Sequence, residues 1–190
     1  MIAIIAEKPS VGQDIARVIG ATEKKDGYMA GNGYLVTWAL GHLVSLAMPS
    51  AYGYGKASHE DLPMLPEPFQ LVVRQIKTDR GMVTDISAAK QLKVIDEVFS
   101  KCDSIIVATD AGREGELIFR YIYHYLGYTK PFKRLWISSL TDEAIRVGMS
   151  NLKDGEAYDS LYHAADCRAK ADWLVGMNAS RALALASGMP

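Results

Sequence analysis

Asp110, Glu114 and Glu116 fall within one short segment of S-I-I-V-A-T-D-A-G-R-E-G-E-L-I-F-R-Y-I-Y-H-Y-L, which runs from Ser104 to Leu126. Carboxylates this close repel one another, and a divalent cation is the simplest agent that keeps several of them ionised in one place. The same acids would also complement the macrodipole at the amino end of a helix, so the turn alone reads both ways. Glu7 stands before Lys8 in E-K-P-S. A lysine beside a helix amino end suits a phosphate, and it equally suits plain exposure to solvent. Further on, Arg168 and Asp172 lie four apart among alanines. They read either as a helix ion pair contributing roughly 0.2 to 0.5 kcal/mol, or as a carboxylate steadying a guanidinium fork for a phosphate.

The elements that must position these residues follow from the apolar pattern. Ile105, Ile106 and Val107 form a β-branched run suited to a buried parallel strand, and Leu117, Ile118, Tyr121, Ile122 and Tyr125 recur at helical spacing. A strand therefore turns directly into a helix, with Asp110 at the strand's carboxyl end, where open α/β sheets bind their ligands. Gly112 and Gly115 are expected to leave room for a ligand near the backbone. Met1 to Ala6 is a second short apolar run, followed by a helix marked by Val11, Ile15, Val18 and Ile19. If the two strands are neighbours, about 4.8 Å apart, Glu7 and Asp110 face one crevice.

Tyr28 to Leu40 reads as a hairpin turning at Gly31-Asn32-Gly33, and His42 after it reads as a hydrogen-bonded structural residue. Met48 to Pro68 holds four of the seven prolines and is expected to be a long surface loop. Phe69 to Gln75 reads as a strand, Lys77 to Asp85 as a flexible turn, and Ile86 to Ser100 as a helix. Gly127 should stop the central helix. A short strand with Phe132, Leu135, Trp136 and Ile137 follows, then a helix capped by Thr141. This alternation predicts an α/β fold with a mostly parallel sheet and helices on both faces. A turn at Lys153-Asp154-Gly155 opens an alanine-rich helix from Tyr158 to Ala186. The boundary therefore falls between a first domain, 1–153, and the start of a helical domain, 154–190. The second piece is too short for a core of its own, so the chain is expected to be part of a longer protein.

The 190 residues are 49% hydrophobic and 23% charged, an ordinary globular composition. A net charge of −1 gives no global attraction to a polyanion, so nucleic-acid binding would need locally placed Lys and Arg. Cys102 and Cys167 form no C-x-x-C, which points away from a disulfide framework or a zinc site and towards a reducing, cytoplasmic setting. No segment is long and apolar enough to cross a bilayer, so no membrane role is expected.

E-K-P-S, G-H-L, A-T-D-A-G-R-E-G-E-L-I and D-C-R-A-K-A-D-W-L-V-G-M-N-A-S-R, in that order and over nearly the whole chain, resemble the amino-terminal part of the type IA DNA topoisomerases, bacterial topoisomerase III group. The resemblance implies a Rossmann-like Toprim domain with Mg²⁺ as cofactor, bound by Glu7, Asp110 and Glu114. The family pattern D-x-D-x-E has Gly112 in place of its middle acid, and Glu116 would compensate. Lys8 would contact the scissile phosphate, Arg168 would hold it with Asp172 in support, and Glu7 would serve proton transfer. The implied reaction is cleavage and resealing of single-stranded or underwound DNA through a tyrosine beyond residue 190, by a monomer with a helicase as companion. Tyr121, Tyr123 and Tyr125 are explained by core packing and a wet helix face. A Toprim nuclease or primase would share the acids but have no use for the Arg168 helix, and a nucleotide-binding module would need a G-x-G-x-x-G that is absent.

Overall fold

The structure is a computed structural model, and it describes residues 1–79 and 81–188. Strand β1 (Ile2–Ala6) leads into helix α1 (Pro9–Ile19), whose first residue is the proline that suits a helix start. Strands β2 (Glu23–Lys25), β3 (Tyr28–Gly31) and β4 (Tyr34–Trp38) follow as an antiparallel meander, with the β3–β4 turn at Asn32-Gly33. Later come helix α2 (Ile86–Ser100), strand β9 (Ser104–Ala108), helix α3 (Arg113–Tyr125) and strand β10 (Phe132–Arg134). Helix α4 (Asp142–Ser150), strand β11 (Lys153–Asp154) and the long helix α5 (Asp159–Ser187) complete the described chain.

These strands form one seven-stranded sheet in the order β11-β10-β9-β1-β4-β3-β2. The four central strands are parallel, and antiparallel neighbours close both edges. Successive side chains of a strand point to opposite faces, and both faces are covered. Ala3, Ile5, Leu35, Ile105 and Val107 pack beneath α2, α3 and α5, while Ile4, Val36, Ile106 and Leu135 pack beneath α1 and α4. Burial on both sides explains why β1 and β9 are apolar at nearly every position instead of alternating. The expected α/β layering is present. Strand β2 was not foreseen because Glu23-Lys24-Lys25 is wholly exposed and carries no apolar signal.

Residues 48–68 are the irregular, mostly exposed excursion that was expected, with two short 3-10 turns, Pro49–Tyr52 and His59–Asp61. The segment is nevertheless anchored: Met64 is fully buried, and Asn178 of α5 accepts its N–H at 2.7 Å and donates to its carbonyl at 3.0 Å. The segment thus clasps α5, which compensates for the backbone groups that an irregular path leaves unpaired. The strand foreseen at Phe69 to Gln75 is β6 (Leu71–Val73), which pairs with β5 (Val44–Leu46) outside the main sheet. The flexible turn expected over Lys77 to Asp85 is replaced, apart from residue 80, which lies outside the described residues, by strand pairing of β7 (Gln75–Thr78) with β8 (Gly81–Thr84). The hairpin is exposed on both faces, Ile76, Met82 and Val83 included, so no buried face left an alternating pattern in the sequence.

The second piece finds apolar partners in the first. Trp173 of α5 is buried edge-on against Phe69 and Tyr52, with ring centroids at 5.4 and 5.9 Å, and its indole N–H donates to the Ala47 carbonyl at 2.9 Å. This anchoring fixes which face of α5 looks towards the carboxyl ends of the central strands.

Candidate active site

The in-register pairing of Ala6 with Ala108 delivers Glu7 and Asp110 to the same rim of the sheet, because each lies one or two residues beyond its strand. The Asp110 N–H donates to Glu7 Oε2 at 3.1 Å. Strand β4 lies on the other side of β1, and the loop that follows it carries His42, whose Nε2 meets Glu114 Oε2 at 2.9 Å. Arg74 braces that loop through the carbonyls of Leu40 and His42, at 2.8 and 3.2 Å. Three adjacent strands thus feed one rim. His42 is hydrogen-bonded, as foreseen, but its partner is a candidate site acid. Its place after a strand was legible in the sequence, but that this strand runs parallel to β1 was not.

Glu116 stands apart from this group. Its carboxylate has no exposure and is held between Arg120 Nε at 2.9 Å and Arg134 Nε at 3.1 Å. An α-helix turns about 100° per residue, so Glu114 and Glu116 point in nearly opposite directions, one to the rim and one to the core. The expected compensation for Gly112 is therefore corrected: Glu116 serves a buried ion pair. Arg120 continues to Asp159 at 2.6 Å and to the Gly155 carbonyl at 3.1 Å, which ties α3 to the start of α5. Burial pulls the Arg134 pKa below the usual arginine value, with the Glu116 charge opposing the shift. The Glu116 to Arg120 spacing, acid before base at i,i+4, was visible in the sequence. Arg134, next to Lys133 in a three-residue strand, was not.

Gly115 does not make room for a ligand either. A Cβ there would sit 2.0 Å from the Asp110 carbonyl oxygen, so the helix start packs directly on the strand end. Thr109 locks the same turn by donating to the Gly115 carbonyl at 2.7 Å. Gly112 is the open position: its φ of 171° is extended backbone, and a Cβ would meet nothing within 4 Å.

Helix α5 brings Arg168 to this turn. Asp110, Gly112, Glu114, Ala165 and Arg168 line one cavity of about 290 Å³. Arg168 and Asp172 are both exposed, with Nε and Oδ2 at 3.7 Å, an ion pair too long for a hydrogen bond. Lys8, also exposed, is the residue that precedes α1. Tyr121 and Tyr123 are buried and donate to Asp166 at 2.9 Å and to the Lys130 carbonyl at 2.7 Å, while Tyr125 is exposed. Burial raises the pKa of both buried phenols, with Asp166 adding to the shift at Tyr121.

Glu7, Asp110 and Glu114 are hard oxygen donors, the chemistry that Mg²⁺ prefers. Among the described residues no three His, Cys, Asp or Glu side chains converge closely enough to enclose a metal ion. The donor set thus fits a cation that keeps most of its waters and takes one or two carboxylates. Gly112→Asp should add an acid at a position that accepts it without strain. Mg²⁺ affinity should then tighten on the order of tenfold, since affinity follows ligand charge count. Competition against Mn²⁺ broadening of amide signals measures it, and an unaltered affinity in a folded variant means that residue 112 does not face the cation.

A mostly parallel sheet flanked on both faces, with acids on two adjacent strand ends and a helix that carries Arg168 across the rim, defines an α/β domain of the Toprim class. Residues 2–140 match the family model described as "Toprim domain", and the chain belongs to that family. It is 51% identical over 184 residues to DNA topoisomerase 3 of Bacillus licheniformis, covering 95% of this chain and 24% of that protein. The corresponding protein of Bacillus subtilis is 50% identical over 184 residues with the same coverage. The chain thus spans about a quarter of the length of these curated relatives. A structure of full-length topoisomerase I from Thermotoga maritima superposes with a TM-score of 0.47 at 20% identity, over 80% of this chain and 21% of that one.

Proposed function

We propose that this chain is the amino-terminal part of a type IA DNA topoisomerase that cleaves, passes and reseals single-stranded or underwound DNA. The observation that carries the proposal is the meeting of Asp110, Glu114 and Arg168 around one cavity at the carboxyl ends of the parallel strands. The name borne by relatives at half identity supports it. On this reading Arg168 reaches the acids across the boundary between the Toprim domain, 1–153, and the helical domain that begins at 154.

The reaction is a transesterification. A tyrosine oxygen, outside these residues, attacks phosphorus; the bond to the 3′ oxygen breaks, and the 5′ phosphate stays on the tyrosine. The guanidinium fork of Arg168 holds non-bridging phosphate oxygens, and Lys8 adds a point charge at the amino end of α1. Glu7, with Oε2 fixed by the Asp110 N–H, carries the proton to and from the 3′ oxygen on its other oxygen. Asp110 and Glu114 would hold Mg²⁺, which when bound supplies positive charge against the phosphate. The same reading makes the protein a cytoplasmic monomer that receives unwound strands from a helicase.

The test compares this chain with the longer protein, each incubated with Mg²⁺, supercoiled plasmid and labelled single-stranded DNA. The longer protein should relax the plasmid and become covalently labelled, and the 190-residue chain should do neither. An adduct on the short chain would place the nucleophile within these residues. Nicking by the longer protein with no adduct would turn the reading towards a Toprim nuclease.

A further inference from the structure

We propose that Arg134 is a positioning residue: its buried guanidinium fixes the backbone from which Asp110 and Glu114 are presented. The side chain has no exposure, and its fork reads the end of β9 carbonyl by carbonyl. Nη1 donates to Val107 O at 3.1 Å and to Thr109 O at 2.7 Å, and Nη2 donates to Asp110 O at 2.7 Å. On its other edge Nε lies 3.1 Å from Glu116 Oε2, in the first turn of α3. One residue of β10 therefore grips both sides of the turn that bears the acids.

Stability alone does not account for this choice. Desolvating a guanidinium is costly, and a buried ion pair is often no more stabilising than apolar residues of the same volume. An apolar side chain could fill the space but could not hold three carbonyls in fixed directions. With Thr109 closing the turn from within and Gly115 packed on Asp110, the acids stand on a backbone that is set before any ligand arrives. Such preorganisation is what a weakly enclosed cation site needs, because the ordering cost is met during folding.

The inference rests on the reading of Asp110 and Glu114 as the cation site, so its test begins without metal. Amide hydrogen exchange is measured on the 190-residue chain and on Arg134→Lys and Arg134→Met, in which Glu116 keeps Arg120. Mg²⁺ titration by NMR follows. In the unmodified chain the Asp110 amide, which donates to Glu7, and the Glu116 amide, which donates to the Gly112 carbonyl, should be protected. In both variants they should exchange about tenfold faster or more, while β1 and α2 stay unchanged. Mg²⁺ affinity should fall about 10- to 100-fold, the usual consequence of removing an outer support. Turn amides that exchange in the unmodified chain as fast as an open loop overturn the proposal before any variant is made. So does a folded Arg134→Lys protein with native exchange at the Asp110 and Glu116 amides. Faster turn exchange in a chain that binds no Mg²⁺ at all upholds the positioning role and removes the metal reading instead.

Discussion

Arg168→Lys in the longer protein is expected to slow cleavage of single-stranded DNA by about 10² to 10³-fold, the loss typical of removing one aligned donor from a developing oxyanion. Lysine keeps the charge, but it lacks the planar fork that binds two phosphate oxygens at once. Arg168 is exposed, its only ion pair among the described residues is the long one to Asp172, and it lines the cavity with Asp110 and Glu114. A surface helix pair of this kind contributes only about 0.3 to 0.5 kcal/mol to stability, so folding should be unaffected. Asp172→Asn should give a smaller defect in the same direction, because at 3.7 Å the aspartate steers the guanidinium without gripping it. Single-turnover cleavage, with thermal melting alongside, measures both. A folded Arg168→Lys protein cleaving at the unmodified rate would return the pair to a plain helix ion pair.

Glu116→Ala should act in the opposite way, on stability. It leaves Arg134 with no carboxylate and Arg120 with only Asp159, both at buried positions. Removing one partner of a buried pair costs about 3 to 5 kcal/mol, since the remaining charge is desolvated without compensation. For a chain of this size that corresponds to a fall in melting temperature of roughly 6 to 20 °C. A rim carboxylate that merely binds a cation would show little change in stability without metal. Urea unfolding in the absence of Mg²⁺ separates the two, and a loss under about 0.5 kcal/mol would mean that Glu116 is not bearing the buried arginines.

The two strand-to-helix turns were legible because both of their signals are local. Ile2 to Ala6 and Ile105 to Val107 are short β-branched or apolar runs, and the residues after them switch to helical spacing, so Glu7 and Asp110 could be placed at strand ends by counting. The helix from Ile86 to Ser100 and the Thr141 cap were legible for the same reason, since periodicity and capping chemistry act within a few residues. The fate of residues 48–68 was not, because proline and glycine say that a segment is irregular but not what it packs against.

The order of residues alone set the sheet-forming runs, the acids at their ends and the alternation that makes the fold α/β. It also contained the i,i+4 pairing of Glu116 with Arg120, which helical geometry turns away from Glu114. Packing of distant segments was needed to make β1 and β9 neighbours in register, to bring His42 to Glu114, to bury Arg134 against the Asp110 carbonyl, and to lay Arg168 of α5 over the acidic turn. The physical reason is range. Propensity, capping and periodicity are set by residues a few positions apart, whereas strand pairing and the burial of a charged side chain depend on which distant segments exclude water from it.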